Sequence, residues 1–376
     1  MSSTNGTNGS TNGTGGGAKH AKPEGKVHLV TGGAGYFGTL LVDALVKEGK
    51  RVRILDIHDA DLPAGVEKHR ADIRDRNAVE RACEDVEVVH HNVALVPLAK
   101  DKEAFWEVNE GGTRNLLDAA KKQGVRKIVS MSSSAVYGAP DKNPVDDATP
   151  TNPGEDYGKA KLGAERLCHQ YAKEGLDITL IRPRTIMGHG RLGIMQILFE
   201  WIREGRNIPV LGRGDNVYQF VHADDLASAA LKAAERPNPK GSPQASIYNV
   251  GAEVFGTMRE TLEALCAHAK TGSKVVSVPS APAVAMMKVT SRIGVSPLGA
   301  YHALMYGKAM YFDVTRTKSE LGWSAKYSNA EMFAHSYDWY LAHRDEVLGR
   351  TDASHHRSPV KQGVLSAVSR ALSFGR

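Results

Sequence analysis

Residues 27–41 read VHLVTGGAGYFGTLL, and the fold prediction starts from them. A short apolar run that contains Val27, Leu29 and Val30 predicts a buried parallel strand. A glycine-rich turn follows directly, and apolar residues then recur at helical spacing from Leu40 onward. Such a turn lets the backbone approach a pyrophosphate, and the N-terminus of the next helix offers free N–H groups to it. The predicted residues of the turn are Gly32, Gly33, Gly35, Tyr36, Phe37 and Gly38.

Composition and charge narrow the class of protein. Of the 376 residues, 41% are hydrophobic and 24% are charged, which is typical of a globular protein. The net charge of +6 is modest and is not accompanied by a recognition motif, so we expect no nucleic acid partner. The three cysteines are far apart, which favours a reducing, cytoplasmic compartment. Because the adjacent His90 and His91 point to opposite faces of a strand, we predict no metal site.

The two ends of the chain differ in composition from the rest. Residues 1–25 are rich in Ser, Thr, Asn and Gly, and we predict a disordered N-terminal segment. Residues 346–376 are predicted to form a linker and a basic amphipathic tail, with four apolar residues on one helical face: Val364, Leu365, Val368 and Leu372. This tail either docks on the protein, lies weakly on the inner face of a membrane, or is disordered.

One acidic residue indicates which cofactor, NAD or NADP, the predicted site prefers. The strand that begins at Arg51 ends in Asp56, about 20 residues beyond the glycine turn, where a carboxylate accepts hydrogen bonds from ribose hydroxyls. A carboxylate there repels a 2′-phosphate, so NAD is favoured over NADP. Strands then alternate with helices, which predicts an α/β fold with a Rossmann-type, doubly wound parallel sheet. The further predicted strands are Val86–His90, Lys127–Met131 and Ile178–Arg182, and the helices are Phe105–Gln123 and Asp156–Glu174.

Tyr157 and Lys161 are spaced for proton transfer. They are four residues apart and so share one face of a predicted helix. Tyrosine alone has a pKa of about 10 and is a poor base at neutral pH. A lysine ammonium beside it stabilises the phenolate and lowers that pKa towards the useful range.

The motifs in this order resemble the extended short-chain dehydrogenases/reductases. This is the NAD-dependent epimerase/dehydratase family, which includes 3β-hydroxysteroid dehydrogenase-like proteins. The resemblance spans roughly residues 26–344 and rests on eight features of the sequence: TGGAGYFG at 31–38, Asp56, Asp72-Ile73, Asn109, Ser132–Gly138, Tyr157–Lys161, FVHADDL at 220–226 and ELGW at 320–323.

The resemblance implies roles for individual residues. Tyr157 would exchange the proton of an alcohol or ketone, and Ser133 would hydrogen-bond the reacting oxygen. Lys161 would lower the pKa of Tyr157 and bind the nicotinamide ribose. Three further residues would line the cofactor, two at the adenine and one near the nicotinamide: Asp72, Ile73 and Pro183. Asn109 would be structural or would organise a water molecule. The helices Phe105–Gln123 and Tyr157–Glu174 would form the four-helix interface of a homodimer.

The resemblance also implies the division of the chain. Residues 26–182 would form the NAD-binding domain with the catalytic residues. Residues 183–345 would mainly bind the substrate, with some segments returning to the Rossmann sheet.

The substrate region departs from the pattern of nucleotide-sugar enzymes. Thr185 stands where those enzymes have an asparagine, and Tyr218 stands where they commonly have an arginine. Arg184, Arg191 and Arg213 could replace the missing phosphate ligands, or they are ordinary surface charges. The candidate substrate contacts are Ser134, Thr185, Arg184, Arg191 and Tyr218.

Apolar residues in the same region point to another substrate class. The predicted helix around residues 194–202 is crowded with apolar side chains, and residues 275–287 and 298–310 add methionines, which suit adaptable apolar ligands. Core packing is the alternative for any one of them. We therefore favour an NAD-dependent oxidoreductase acting on a lipid-like alcohol or ketone, such as a steroid or sphingoid. A nucleotide-sugar epimerase, dehydratase or reductase is the alternative, and a non-catalytic dinucleotide sensor is a third reading.

Overall fold

The computed structural model describes residues 25–95, 102–191, 194–239, 242, 244–283, 285 and 307–349. The predicted disordered segment before Gly25, the C-terminal tail from residue 350 and most of residues 286–310 therefore lie outside the described residues. Residues 346–349 are not a linker, because they belong to the helix Arg344–Gly349. Among the described residues, no helix is both long and apolar enough to cross a membrane.

A seven-stranded parallel sheet forms the centre of the molecule, in the order β11-β6-β5-β4-β1-β2-β3. This is the predicted Rossmann-type arrangement. The strands are β1 Val27–Thr31, β2 Arg51–Asp56, β3 Glu67–Arg70, β4 Val86–His91, β5 Lys127–Met131, β6 Ile178–Pro183, β7 Thr185–Met187, β8 Ile208–Leu211, β9 Val217–Tyr218, β10 Phe220–His222, β11 Ser246–Val250, β12 Gly256–Thr257 and β13 Val275–Val278. The six strands outside the sheet pair in twos, as β10 with β7, β12 with β9 and β13 with β8.

Helices cover both faces of the sheet. In chain order the first eight are α1 Tyr36–Lys47, α2 Arg76–Ala82, α3 Lys102–Trp106, α4 Gly112–Gln123, α5 Asp156–Lys173, α6 Ile194–Arg203, α7 Ala223–Glu235 and α8 Met258–Ala269. Helices α1 and α7 pack together over one face, while α2, α4 and α5 cover the other. The predicted helix Phe105–Gln123 is interrupted by a π-helical turn at Glu107–Gly111.

Besides the apolar cores on the two faces of the sheet, a third apolar core lies in the C-terminal region. It is formed by α6, α8 and the helix Asn329–Ala342. The apolar side chains of α6 that suggested a lipid surface are buried in this core, among them Phe199, Trp201 and Ile202. The core-packing interpretation is therefore the one that holds for α6.

Candidate active site

The glycine turn is built by close backbone approach. Gly32 has a φ of +70°, which favours glycine. A Cβ on Gly38 would clash with the carbonyl oxygen of Gly32, and one on Gly33 would stand 2.5 Å from Cγ2 of Ile54. Glycines at these positions therefore allow α1 to pack tightly against β1 and β2.

The start of α1 suits a pyrophosphate. Its N-cap is Gly35, which has no side chain to bond the first N–H groups of the helix. Asp56 at the end of β2 accepts hydrogen bonds from the N–H of Ala34 at 3.0 Å and of His58 at 2.9 Å. A carboxylate has about four acceptor positions, so this one still has capacity for ribose hydroxyls. These residues fit the phosphates and adenosine ribose of NAD.

The other predicted cofactor residues are placed differently. Asp72 forms a two-oxygen ion pair with Arg74, with a shortest distance of 2.7 Å. The side chain of Ile73 is buried in the core. Pro183 ends β6 and is buried. Contacts of these residues with adenine and nicotinamide stay predictions.

The predicted catalytic residues Ser133, Tyr157 and Lys161 lie at the carboxyl end of β5. Ser133 is the N-cap of the short 3₁₀ helix Ser134–Tyr137, and its hydroxyl lies close enough to that of Tyr157 to lower the pKa of the phenol. Helix α5 is capped by Glu155, whose carboxylate accepts from the N–H groups of Tyr157 at 2.8 Å and Gly158 at 2.7 Å. The cap fixes the first turn of α5, and with it the position of the phenol. Of the three consecutive serines, Ser133 is the one whose hydroxyl acts on the pKa of Tyr157, and its catalytic role stays a prediction.

The pKa values of the two α5 groups are shifted by burial. Burial raises the pKa of Tyr157, and the negative charge of Glu155 raises it further, while the Ser133 hydroxyl and the positive charge of Arg191 act in the opposite direction. Burial lowers the pKa of Lys161 to about 8. Its Nζ donates to the carbonyl of Met131 at 2.8 Å. Arg191 is thus the cation that acts on the phenol in this structure, and the predicted effect of Lys161 on Tyr157 stays a prediction.

A buried ion pair lies next to the loop that follows β5. The guanidinium of Arg182 donates to the carboxylate of Glu165 through Nε at 2.8 Å and Nη2 at 2.6 Å. Glu165 also accepts a hydrogen bond from Ser132, and Arg182 Nη1 donates to the hydroxyl of Tyr137 at 2.8 Å. This network ties α5, β6 and the loop after β5 together. Our sequence analysis missed it, although Glu165 lies four residues after Lys161 and so on the same helix face.

A second buried network holds the loop after β4. His91 bonds the hydroxyl of Thr31 at 2.8 Å and that of Thr113 at 2.9 Å. Asn109, in the π-helical turn, accepts from the N–H of Leu95 at 3.0 Å and donates to its carbonyl at 3.2 Å. Asn109 therefore has the structural contacts that the family resemblance implied.

The candidate substrate residues fall into two groups. Arg184, Ser134, Thr185 and Tyr218 lie together, with the Arg184 Nη1 to Ser134 Oγ distance at 3.0 Å and the two hydroxyls of Thr185 and Tyr218 2.9 Å apart. The guanidinium of Arg191 lies over the ring of Tyr36, 5.4 Å from its centroid.

Two of the arginines considered as phosphate ligands, Arg184 and Arg213, differ in their exposure to solvent. Arg184 is 1% exposed, so it is not a surface charge. Arg213 is a surface charge, since its side chain is 86% exposed and paired with Asp215 at 3.1 Å.

Three potential metal ligands lie close together near the glycine turn. Ligand atoms of His189, His222 and Asp224 lie within 4.8 Å of one another. However, His222 Nδ1 accepts from the N–H of Asp224 at 3.2 Å, which leaves the ring proton on Nε2. Neither nitrogen of a neutral His222 then offers a lone pair, so this cluster is a poor metal site.

Comparison with known proteins identifies the family. A model of the NAD dependent epimerase/dehydratase family matches residues 28–251, which include the turn, Ser133, Tyr157 and Lys161. The chain belongs to this family. The predictions of an extended short-chain dehydrogenase/reductase, of an enzyme and of NAD as cofactor are thereby confirmed.

Relatives match over most of the chain. "Uncharacterized protein y4nG" of Sinorhizobium fredii is 48% identical over 349 residues, 92% of this chain and 86% of that protein. The UDP-glucose 4-epimerase of Mycolicibacterium smegmatis is 29% identical, covering 83% of this chain and 97% of that protein. The solved structure of a Thermotoga maritima UDP-glucose 4-epimerase with UDP-glucose has a TM-score of 0.70 at 24% identity, over 84% of this chain and 99% of that one. The "Sterol demethylase protein B" of Methylococcus capsulatus is 34% identical, but over 43% of this chain and 51% of its own length.

Proposed function

We propose that the protein is a nucleotide-sugar 4-epimerase, which inverts a secondary alcohol of a UDP-linked sugar through a transient ketone. The observation that carries the proposal is the similarity to UDP-glucose 4-epimerase of Mycolicibacterium smegmatis along 97% of that protein. This substrate was the alternative in our sequence analysis. We prefer it to the lipid-like substrate, because the apolar side chains of α6 pack in the protein core.

Tyr157 carries the proton in the proposed reaction. A sugar hydroxyl that contacts both Tyr157 and Ser133 loses its proton to the phenolate as the ketone forms, and it regains the proton as the ketone is reduced. Ser133 donates a hydrogen bond to the same oxygen while charge develops on it. Burial raises the pKa of Tyr157, so the nearby charge of Arg191 helps the phenolate to form.

The rest of the site would hold the cofactor and keep it in place. NAD, when bound there, would supply reversible hydride transfer at the sugar carbon. The N-terminus of α1 would bind the pyrophosphate and Asp56 the adenosine ribose. Lys161 would bind the nicotinamide ribose, for which its buried ammonium at the end of β5 is suitably charged.

Conversion of UDP-glucose to UDP-galactose, followed by proton NMR, tests the proposal. We expect the wild-type protein to interconvert the two sugars, and Tyr157→Phe to lower kcat by about 10²- to 10⁴-fold while bound NAD is retained. Tyr171→Phe is the matched control, since this tyrosine lies on the same helix and its hydroxyl bonds Asp118 at 2.5 Å. The proposal is wrong if the wild-type protein neither converts any UDP-sugar nor binds UDP.

A lipid-like alcohol or ketone is the second candidate substrate. It is favoured by the match to "Sterol demethylase protein B", at 34% identity over 168 residues. Turnover of a sterol or sphingoid ketone with NADH, together with failure to bind UDP, would establish this reading.

The oligomeric state and the location of the protein are also part of our proposal. We propose a cytoplasmic homodimer that associates through α4 and α5, with the tail beyond residue 350 able to rest on a membrane surface. Light scattering of the purified protein should give twice the chain mass of 40.6 kDa. Deleting residues 351–376 should remove any association with anionic liposomes. A monomer, or unchanged liposome binding, would contradict the respective part.

A further inference from the structure

Two buried arginines lie two residues apart, and only one of them has a carboxylate partner. Arg182 offers Nε and Nη2 to both oxygens of Glu165, at 2.8 and 2.6 Å. Arg184 is buried more deeply, yet its own Nε and Nη2 have no hydrogen-bond partner among the described residues. Since buried polar groups are almost always satisfied, an open edge of a buried guanidinium requires an explanation.

The surroundings of Arg184 hold the side chain in place without neutralising it. The guanidinium lies over the ring of Tyr218, 4.6 Å from the centroid, and 5.6 Å from that of Phe312. Nη1 donates to Ser134 Oγ at 3.0 Å and contacts the sulfur of Met310 at 3.2 Å. No salt bridge involves Arg184 within the described ranges. Residues 286–306, which lie outside the described residues, contain no Asp or Glu that could pair with Arg184.

Arg184 lies close to the residues that would hold the reacting sugar. Its partner Ser134 is the neighbour of Ser133, whose hydroxyl lies near that of Tyr157. The next residue along the chain, Thr185, has its hydroxyl 2.9 Å from that of Tyr218. A sugar bound with one hydroxyl between Ser133 and Tyr157 would therefore place its other substituents near this group.

We propose that Arg184 is a specificity-determining residue that binds a carboxylate on the substrate sugar, so that the preferred substrate is a UDP-hexuronate. This inference rests on the proposed function. The Nε and Nη2 edge would hold the carboxylate with the geometry that Arg182 shows with Glu165. A diphosphate is the other anion that this edge could bind, and the test separates the two.

The test compares UDP-glucuronate, UDP-glucose and UDP binding by calorimetry in the wild-type protein, Arg184→Met and Arg184→Lys. We expect the wild-type protein to bind UDP-glucuronate at least about 10-fold more tightly than UDP-glucose. Arg184→Met should weaken UDP-glucuronate about 10- to 100-fold and leave UDP-glucose and UDP within about threefold. Arg184→Lys should recover only part of the loss, because a lysine lacks the two-pronged edge.

Stability and the three ligands separate the possible failures. Arg184→Met should not lower the urea midpoint of unfolding, since it removes an unpaired buried charge. An equal loss for both sugars, a weakened affinity for UDP itself, or a lowered midpoint would overturn the role of Arg184 and leave the epimerase proposal standing. If the wild-type protein binds none of the three ligands, the proposed function fails, and this inference fails with it.

Discussion

From the buried ion pair of Glu165 and Arg182 we predict how far the loss of either partner lowers the free energy of unfolding. Their side chains are 2% and 6% exposed, so solvent screens them little. Removing one partner leaves the other as an uncompensated buried charge, at a cost of about 3–5 kcal/mol. We therefore expect Glu165→Leu and Arg182→Met each to lower the free energy of unfolding by about that amount. The double variant should cost less than the sum of the two, because neither charge is then left alone.

Urea unfolding at pH 7, followed by circular dichroism and extrapolated linearly, measures these differences. The control is Glu87→Gln at the exposed pair Arg126–Glu87, where the N–O distance is 2.8 Å and we expect at most about 1 kcal/mol. Single variants that cost less than the control, or a double variant whose cost equals the sum, would refute the claim that this pair fixes α5 to β6.

Other predictions concern the cofactor, the turn and pH. Asp56→Ala should weaken NAD and narrow its advantage over NADP, as measured by the affinities of both; unchanged NAD affinity would contradict the ribose contact. Gly38→Ala should abolish NAD binding because its Cβ would clash with backbone, whereas Gly111→Ala meets open space and should be tolerated. Burial lowers the pKa of His90 and of His91 from 6.5 to about 3, so the unfolded chain binds more protons below pH 6.5. Stability should therefore fall as pH drops from 6.5 towards 3, by about 1 kcal/mol per pH unit for each histidine, and a flat urea midpoint between pH 7 and pH 5 would contradict this.

Strong local patterns made much of the fold predictable. The sequence predicted the strand at Lys127–Met131 with the bounds that the structure has, because it is a short apolar run followed by a serine-rich turn. It missed β3, whose residues Glu67–Arg70 are polar and alternate between half-buried and exposed at the edge of the sheet. Its strand character comes from pairing with β2, which a local pattern does not record.

The candidate site was predictable where function imposes a spacing. Tyr157 and Lys161 stand at helical spacing, so the local sequence was sufficient to single them out, whereas Ser133 was chosen among three consecutive serines by the family resemblance. The environment of Arg184 was not, because its partners Ser134 and Met310 are 50 and 126 residues away in the chain. An arginine in a loop gives no local sign of burial.

The strand β11 has a practical consequence for engineering. It pairs with β6, so the sheet that carries the glycine turn is completed only after α6, α7 and β7–β10 have been made. The predicted substrate region therefore lies partly before and partly after β11, and it is not a module appended to a finished domain. A chimera that exchanges this region with a relative has to be spliced on both sides of β11. A truncation before Ser246 would leave the edge of β6 open to pairing with other chains.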